Sequence, residues 1–243
     1  MLYGHWDVSS LSDSDRARDL EIIKRRYTQY AGSNRYDLWS LSNPGFRRLV
    51  YERDRSIMEL LRNSIPPNGG SVVDLGSGSS RLAGIAHDAG IQCDWLGLDI
   101  DETAVAESSR TYPWARFVVA SADRIPLPDA SVDVMLASVL FSSLPSHDFE
   151  RDVARDIGRV LRPGGWLIWF DLRIDNPSNP AVHGISRRRL EALFPGWEPE
   201  VESSTLLPPI ARRLGRTTPF LYPMLVAVPL LRSHLIGRLH CPT

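Results

Sequence analysis

The chain has 243 residues, of which 43% are hydrophobic and 23% charged, and its formal net charge is −1. That is the balance of a folded globular domain with one sizeable core, and it excludes the global basic field on which non-specific nucleic-acid binding rests. Cys93 and Cys241, the two cysteines, have no ligand-spaced partners, which excludes a zinc finger or a disulfide framework and suits a reducing, cytoplasmic compartment.

Residues 1–13 lack the apolar core of a signal peptide, and no run approaches the roughly 18 apolar residues that span a bilayer. Leu20, Ile23, Tyr27 and Tyr30 recur at helical spacing after candidate caps at Ser12 or Ser14, with Gly32 as a fitting stop. Asn43-Pro44 reads as an N-cap and first helical position. The helix it opens runs to about Asn63 and buries Phe46, Val50, Ile57 and Leu61. The run 66–70, Pro-Pro-Asn-Gly-Gly, breaks the chain.

Short continuous apolar runs follow at 71–75, 95–99, 116–119, 132–138 and 166–170. They read as parallel strands buried on both faces. Helical patterns lie between them, most clearly Phe149, Val153, Ile157 and Leu161, closed by Pro163-Gly164-Gly165. Alternation of this kind predicts right-handed βαβ units and a doubly wound α/β sheet. The last third gives a helix over 186–193, a strand over 198–206, a proline-punctuated stretch and a strand over 235–241. No acidic residue follows Glu202, whereas Arg212, Arg213, Arg216, Arg232 and Arg238 do, so the tail is basic and apolar together.

Ligands of such a sheet sit beyond the carboxyl ends of its strands. Asp74 ends the first strand, Asp99 ends the second, and Asp123 follows the third. Gly76-Ser77-Gly78 lets backbone approach a ligand closely, and its N–H groups open the next helix. Asp99 stands 21 residues past Gly78 (99 − 78), the separation at which a carboxylate accepts from ribose hydroxyls. A nucleoside ligand fits this set. A dinucleotide fits less well, because its third glycine is here Arg81 and because Asp74 would repel a pyrophosphate.

The stretch from Ser71 to Asp171 resembles the class I S-adenosylmethionine (SAM) dependent methyltransferases, in the broad bacterial group called type 11. The family's glycine loop maps to Asp74, Gly76 and Gly78, with Ser80 where its last glycine stands. The resemblance implies that Asp99 binds ribose, that Ile100 packs on adenine and that Ala122-Asp123 meets its amine. It also implies that backbone near Ser138 meets the methionine amine, and it matches the turn Leu161 to Leu167.

Together these imply a seven-stranded, mostly parallel Rossmann-like sheet. A helical cap is expected over 1–70, a SAM-binding domain over 71–243 and a helical lid insertion over 207–232. Candidate cofactor residues are Asp74, Gly76, Ser77, Gly78, Asp99, Ile100, Ala122, Asp123 and Ser138. Tyr27, Tyr36, Trp39 and Phe141 are candidate acceptor contacts, and Asp171 and His183 are candidate bases. His147 is a weaker candidate. The expected reaction is metal-independent methylation, on oxygen, of a small or lipid-linked organic acceptor and not of nucleic acid. A second reading of the basic tail is contact with a membrane surface. Two rival classes stand beside this one: an NAD-dependent reductase and a SAM-binding module without catalysis.

Overall fold

The computed structural model describes residues 11–31, 41–176, 179 and 181–243. Gly32, Tyr36 and Trp39 lie outside the described residues, as do the side chains of Tyr27 and Tyr30. Helix α1 covers Asp13–Ala31, and the Ser12 hydroxyl accepts the N–H of Asp15 at 3.2 Å. Helix α2 covers Pro44–Arg62, and Asn43 Oδ1 accepts the Phe46 N–H at 2.9 Å, as its N-cap chemistry predicts.

Seven strands form one sheet in the order β3-β2-β1-β4-β5-β7-β6. They are β1 Ser71–Leu75, β2 Asp94–Asp99, β3 Arg116–Val119, β4 Val132–Ser138, β5 Leu161–Leu172, β6 Glu198–Leu206 and β7 Arg232–His240. Strand β7 runs antiparallel to both β5 and β6, and the other pairings are parallel. Helices α3 (Arg81–Asp88), α4 (Glu102–Thr111) and α5 (His147–Val160) make the crossovers between parallel strands, and α6 covers Arg187–Leu193.

Strand β5 starts five residues earlier than its apolar run predicts. Leu161 pairs with Val132 and Trp166 with Val134, so Arg162–Gly165 loop out as a bulge, with Gly164 at φ 78°. Pro163-Gly164-Gly165 is therefore an interruption inside the strand, and α5 ends one residue before Leu161.

The two faces of the sheet are covered differently. Phe149, Val153 and Ile157 of α5 pack with Leu167 and Trp169 on one face. On the other, Ile57, Met58 and Leu61 of α2 join Val72, Val134, Ile168, Phe170 and Ile236. Ile57 is fully enclosed, so truncating it to Ala removes on the order of 2–5 kcal/mol of stability. The other end of α2 meets the segment between β6 and β7, which holds α7 (Pro208–Arg213), α8 (Thr218–Val226) and two 3₁₀ turns. A Cβ on Gly45 would come within 1.7 Å of the Ala211 carbonyl oxygen, so only glycine lets α2 and α7 approach this closely.

Candidate active site

The glycine loop leaves the carboxyl end of β1 and turns sharply into α3. Gly76 and Gly78 sit at φ 68° and 50°. Ser80, where the resembling family has a glycine, also sits at φ 52° and is buried. The left-handed conformation explains the glycine preference at that position, and a serine there carries strain of about 1 kcal/mol. A Cβ at Gly78 would meet nothing within 4 Å, so the loop is open to a ligand there. Across the strand pair, a Cβ at Gly97 would strike Phe117 at 2.5 Å and the Ser77 hydroxyl at 2.9 Å. The loop's own donors are already engaged: Leu98 O accepts the N–H groups of Gly76 (2.8 Å) and Ser77 (3.1 Å). Gly78 N–H donates to Asp99 Oδ2 at 2.7 Å.

Asp74, one residue before the end of β1, and Asp99, the last residue of β2, lie on adjacent strands, and both are buried. Burial, with Asp99 nearby, pushes the Asp74 carboxyl up to about 7, and the Arg53 guanidinium opposes this. Burial also raises Asp99, against the backbone N–H groups of Asp101 and Gly78 that its carboxylate accepts. Two buried acids around an open glycine turn form a site for a cation. The ammonium and sulfonium of SAM have that charge, and a carboxylate keeps lone pairs for ribose hydroxyls beyond two backbone contacts.

Arg81 takes its place in this frame. Its guanidinium donates to Asp54 Oδ2 of α2 at 3.0 and 2.6 Å, while Arg53 holds Asp54 Oδ1. The residue that spoils a dinucleotide fingerprint thus fastens the start of α3 to α2.

Asp123 is buried, and its carboxylate is taken by Arg16 of α1 and by the Ser121 hydroxyl. Helix α1 continues across the same edge. Ser146 donates to Asp19, and Arg26 donates to the carbonyls of Ser143 and Ala181 at 3.0 Å each. A polar cleft of about 500 Å³ opens outside Asp123, between Arg16, Asp152 and Asp156, and includes no residue of the glycine loop. Ile100, Ala122 and Ser138 are partly exposed around the same carboxyl edge.

Beyond β4 the chain departs from expectation. Val139, a β-branched residue, has φ 56° and an exposed side chain. Phe141 is fully buried instead, with its ring centroid 4.8 Å from Trp169 and 6.0 Å from Phe194. It is a core residue and not an acceptor contact, because a 3₁₀ turn over Phe141–Ser143 rotates it inward. Asp171 is also enclosed: Oδ2 accepts Ser142 N–H at 3.1 Å and Oδ1 accepts Leu172 N–H at 2.8 Å. Burial raises it to about 6, but with no exposed surface it anchors the turn rather than facing an acceptor.

His183 is half-buried and is fastened to that same turn, its backbone N–H donating to Ser142 O at 3.0 Å. Its Nε2 stands 2.6 Å from Glu150 Oε1. The hydrogen bond to Glu150 raises His183 above its ordinary 6.5. Glu150 is wholly buried, and its other oxygen accepts two guanidinium N–H bonds from Arg189 at 3.0 and 2.8 Å. Exposed His147 completes a trio whose ligand-capable atoms lie within 4.8 Å of one another, an arrangement hidden by the 33-residue gap between 150 and 183.

Sequence reasoning missed Arg53, Asp54 and Glu150, because charged helical residues read as solvated faces. His234 was missed as well. It stacks on Phe170 at 4.5 Å, bonds Thr205 and Ser233, and burial lowers it to about 3.

A family model described as a methyltransferase domain matches residues 73–169. The phthiotriol/phenolphthiotriol dimycocerosates methyltransferase 1 of Mycobacterium ulcerans (strain Agy99) is 38% identical over 106 residues, 43% of this chain and 35% of that protein. A malonyl-[acyl-carrier protein] O-methyltransferase of Marinomonas sp. (strain MWYL1) is 29% identical over 171 residues, 68% of this chain and 55% of that protein. The chain spans little more than half the length of these relatives, or less. The fold superposes on the geranyl diphosphate C-methyltransferase of Streptomyces coelicolor A3(2), a structure with Mg²⁺, geranyl diphosphate and S-adenosyl-L-homocysteine, at TM-score 0.60 and 15% identity. That match covers 81% of this chain and 80% of that one.

Proposed function

From its membership of the class I SAM-dependent methyltransferases, we propose that this chain transfers the methyl group of SAM to an oxygen of a small or lipid-linked organic acceptor. The observation that carries the reading is the buried pair Asp74 and Asp99 around the open turn at Gly78. Ile100 and Asp123 would line the adenine end, and backbone near Ser138 the methionine end. The dimycocerosate and acyl-carrier acceptors named for two relatives favour a lipid-linked molecule.

SAM, when bound, supplies an electrophilic methyl and a leaving group that departs neutral, so the displacement calls for no Lewis acid. The protein's task is alignment, which alone is worth on the order of 7–11 kcal/mol. His183 is the base. Glu150 holds its Nε2 hydrogen, which leaves Nδ1 to take the hydroxyl proton, and the Glu150 carboxylate offsets the charge that then appears on the ring. Glu150 acts through His183 and is a positioning residue. Arg189 saturates its second oxygen, so the trio with His147 serves as an ion-pair network in this reading.

Thermal shift and calorimetry with SAM, S-adenosylhomocysteine and NAD test the cofactor. SAM and its demethylated product should stabilise the chain, NAD should not, and Asp99→Ala should lose the response. Stabilisation by NAD alone would overturn the reading. Transfer of isotope-labelled methyl from SAM into a lipid or small-molecule extract tests the reaction, and mass spectrometry of the product locates the label on oxygen or carbon. SAM binding with no labelled product would favour a non-catalytic module.

A further inference from the structure

The segment 208–231, between β6 and β7, exposes large apolar side chains. Phe220 is 77% exposed, Met224 68% and Leu230 83%, with Leu221 and Val228 also open. In α8, Phe220, Leu221 and Met224 fall within about 100° of one another around the axis, since successive residues advance by about 100°. Tyr222 points the opposite way, fully buried, with its hydroxyl donating to Glu52 at 2.6 Å. The outward face is therefore not a misplaced core face, because the core face of α8 is already occupied.

Two unpaired basic groups stand in the same segment. Arg213 and Arg216 are exposed and make no ion pair among the described residues. No acidic residue follows Glu202 to oppose them. The segment is also tied to the active-site edge. Arg173, two residues past Asp171, donates to the carbonyls of Arg232 at 2.8 Å and Pro229 at 3.2 Å.

We infer that the exposed segment 208–231, through Phe220, Met224 and Leu230 together with Arg213 and Arg216, docks on a membrane surface rich in anionic lipid headgroups. The apolar side chains enter the headgroup–acyl boundary and the arginines meet lipid phosphates. The chemistry favours this occupant over a second copy of the chain. A two-fold contact through this segment would bring both copies of Arg213 and Arg216 into one interface, and the segment itself holds no acidic residue to pair with them. No helix among the described residues is long and apolar enough to cross a membrane, so the contact is peripheral. Delivery of a lipid acceptor through this face rests on the methyl-transfer reading, whereas the docking does not.

The test is flotation of the full chain with vesicles of phosphatidylcholine alone and of phosphatidylcholine mixed with phosphatidylglycerol, beside light scattering for oligomeric state. Binding is expected to the mixed vesicles and to weaken with salt. The pair R213A and R216A should lower affinity about fivefold per arginine. F220S with L230S should lower it by at least about tenfold. Both double variants change exposed residues and should keep the wild-type melting temperature and SAM response. No binding to the mixed vesicles, or equal binding by the serine variant, would overturn the proposal. So would a wild-type dimer that F220S with L230S converts to monomer. Loss of SAM response with vesicle binding intact would count against the methyltransferase reading alone.

Discussion

Asp74→Asn separates the cost of the buried acid from its use. Burial moves the Asp74 carboxyl from 3.8 to about 7. A carboxylate that holds its proton more tightly folded than unfolded destabilises the fold as pH rises. The penalty is absent below the unfolded value, grows between the two, and is complete above the folded one. A rise from 3.8 to about 7 amounts to ~4 kcal/mol at full ionisation. A buried asparagine amide in its place costs about 1–2 kcal/mol. The variant without ligand should therefore gain about 2 kcal/mol near pH 8, or 4–8 °C in melting temperature for a chain of this size. Near pH 5, where wild-type Asp74 is neutral, the gain should vanish or reverse. Differential scanning fluorimetry across pH reads this directly. Calorimetry should show the converse for the ligand: wild-type SAM affinity should fall about tenfold per pH unit below 7. The variant's affinity should be weak and flat. A gap in melting temperature that does not change with pH, or a variant less stable near pH 8, would refute the placement of a buried, titrating Asp74.

Four further outcomes test the remaining parts of the site. Methyl transfer should rise with pH through a value above 6.5, the ordinary histidine value, and Glu150→Gln should move that midpoint down while slowing turnover; an unmoved midpoint would remove His183 from the base role. Val139→Gly, which relieves a β-branched residue at φ 56°, should raise the melting temperature by a few degrees, worth about 1 kcal/mol. Arg16→Ala frees the Asp123 carboxylate, so SAM should bind more tightly by calorimetry if Asp123 accepts from adenine; weaker binding would instead make Arg16 part of the cofactor's cover. Chelators should leave the methylation rate unchanged, and cobalt(II) should give no d–d spectrum that depends on His147, Glu150 and His183; a rate lost to chelation and restored by a divalent ion would end the metal-free reading.

What was legible in the sequence was whatever depends on local chemistry. Asn43 and Pro44 placed the start of α2 because capping involves only three or four adjacent residues. Glu198–Leu206 was readable as a strand by its composition between turn residues. The carboxyl-end positions of Asp74 and Asp99 followed from strand ends alone. Long-range partners were not legible. Asp54 looks like a solvated helical acid until Arg81, 27 residues away, is seen to hold it. Glu150 sits in the first turn of α5, where acids are common for reasons of the helix dipole, and only the fold brings His183 and Arg189 to it. Phe141 was misread because one 3₁₀ turn decides whether a side chain after a strand faces the ligand or the core.

Helix α2 touches both of the regions that matter. At about 1.5 Å per residue, its 19 residues make a rod ~28 Å long. Phe46 and Arg48 at one end lie against the segment 208–231, while Asp54 at its middle, held by Arg53, grips Arg81 at the start of α3 beside the glycine loop. Any coupling carried by this rod is reciprocal, which either measurement alone would miss. If loading with SAM alters the partition of this chain onto vesicles by some factor, vesicles must alter its SAM affinity by that same factor.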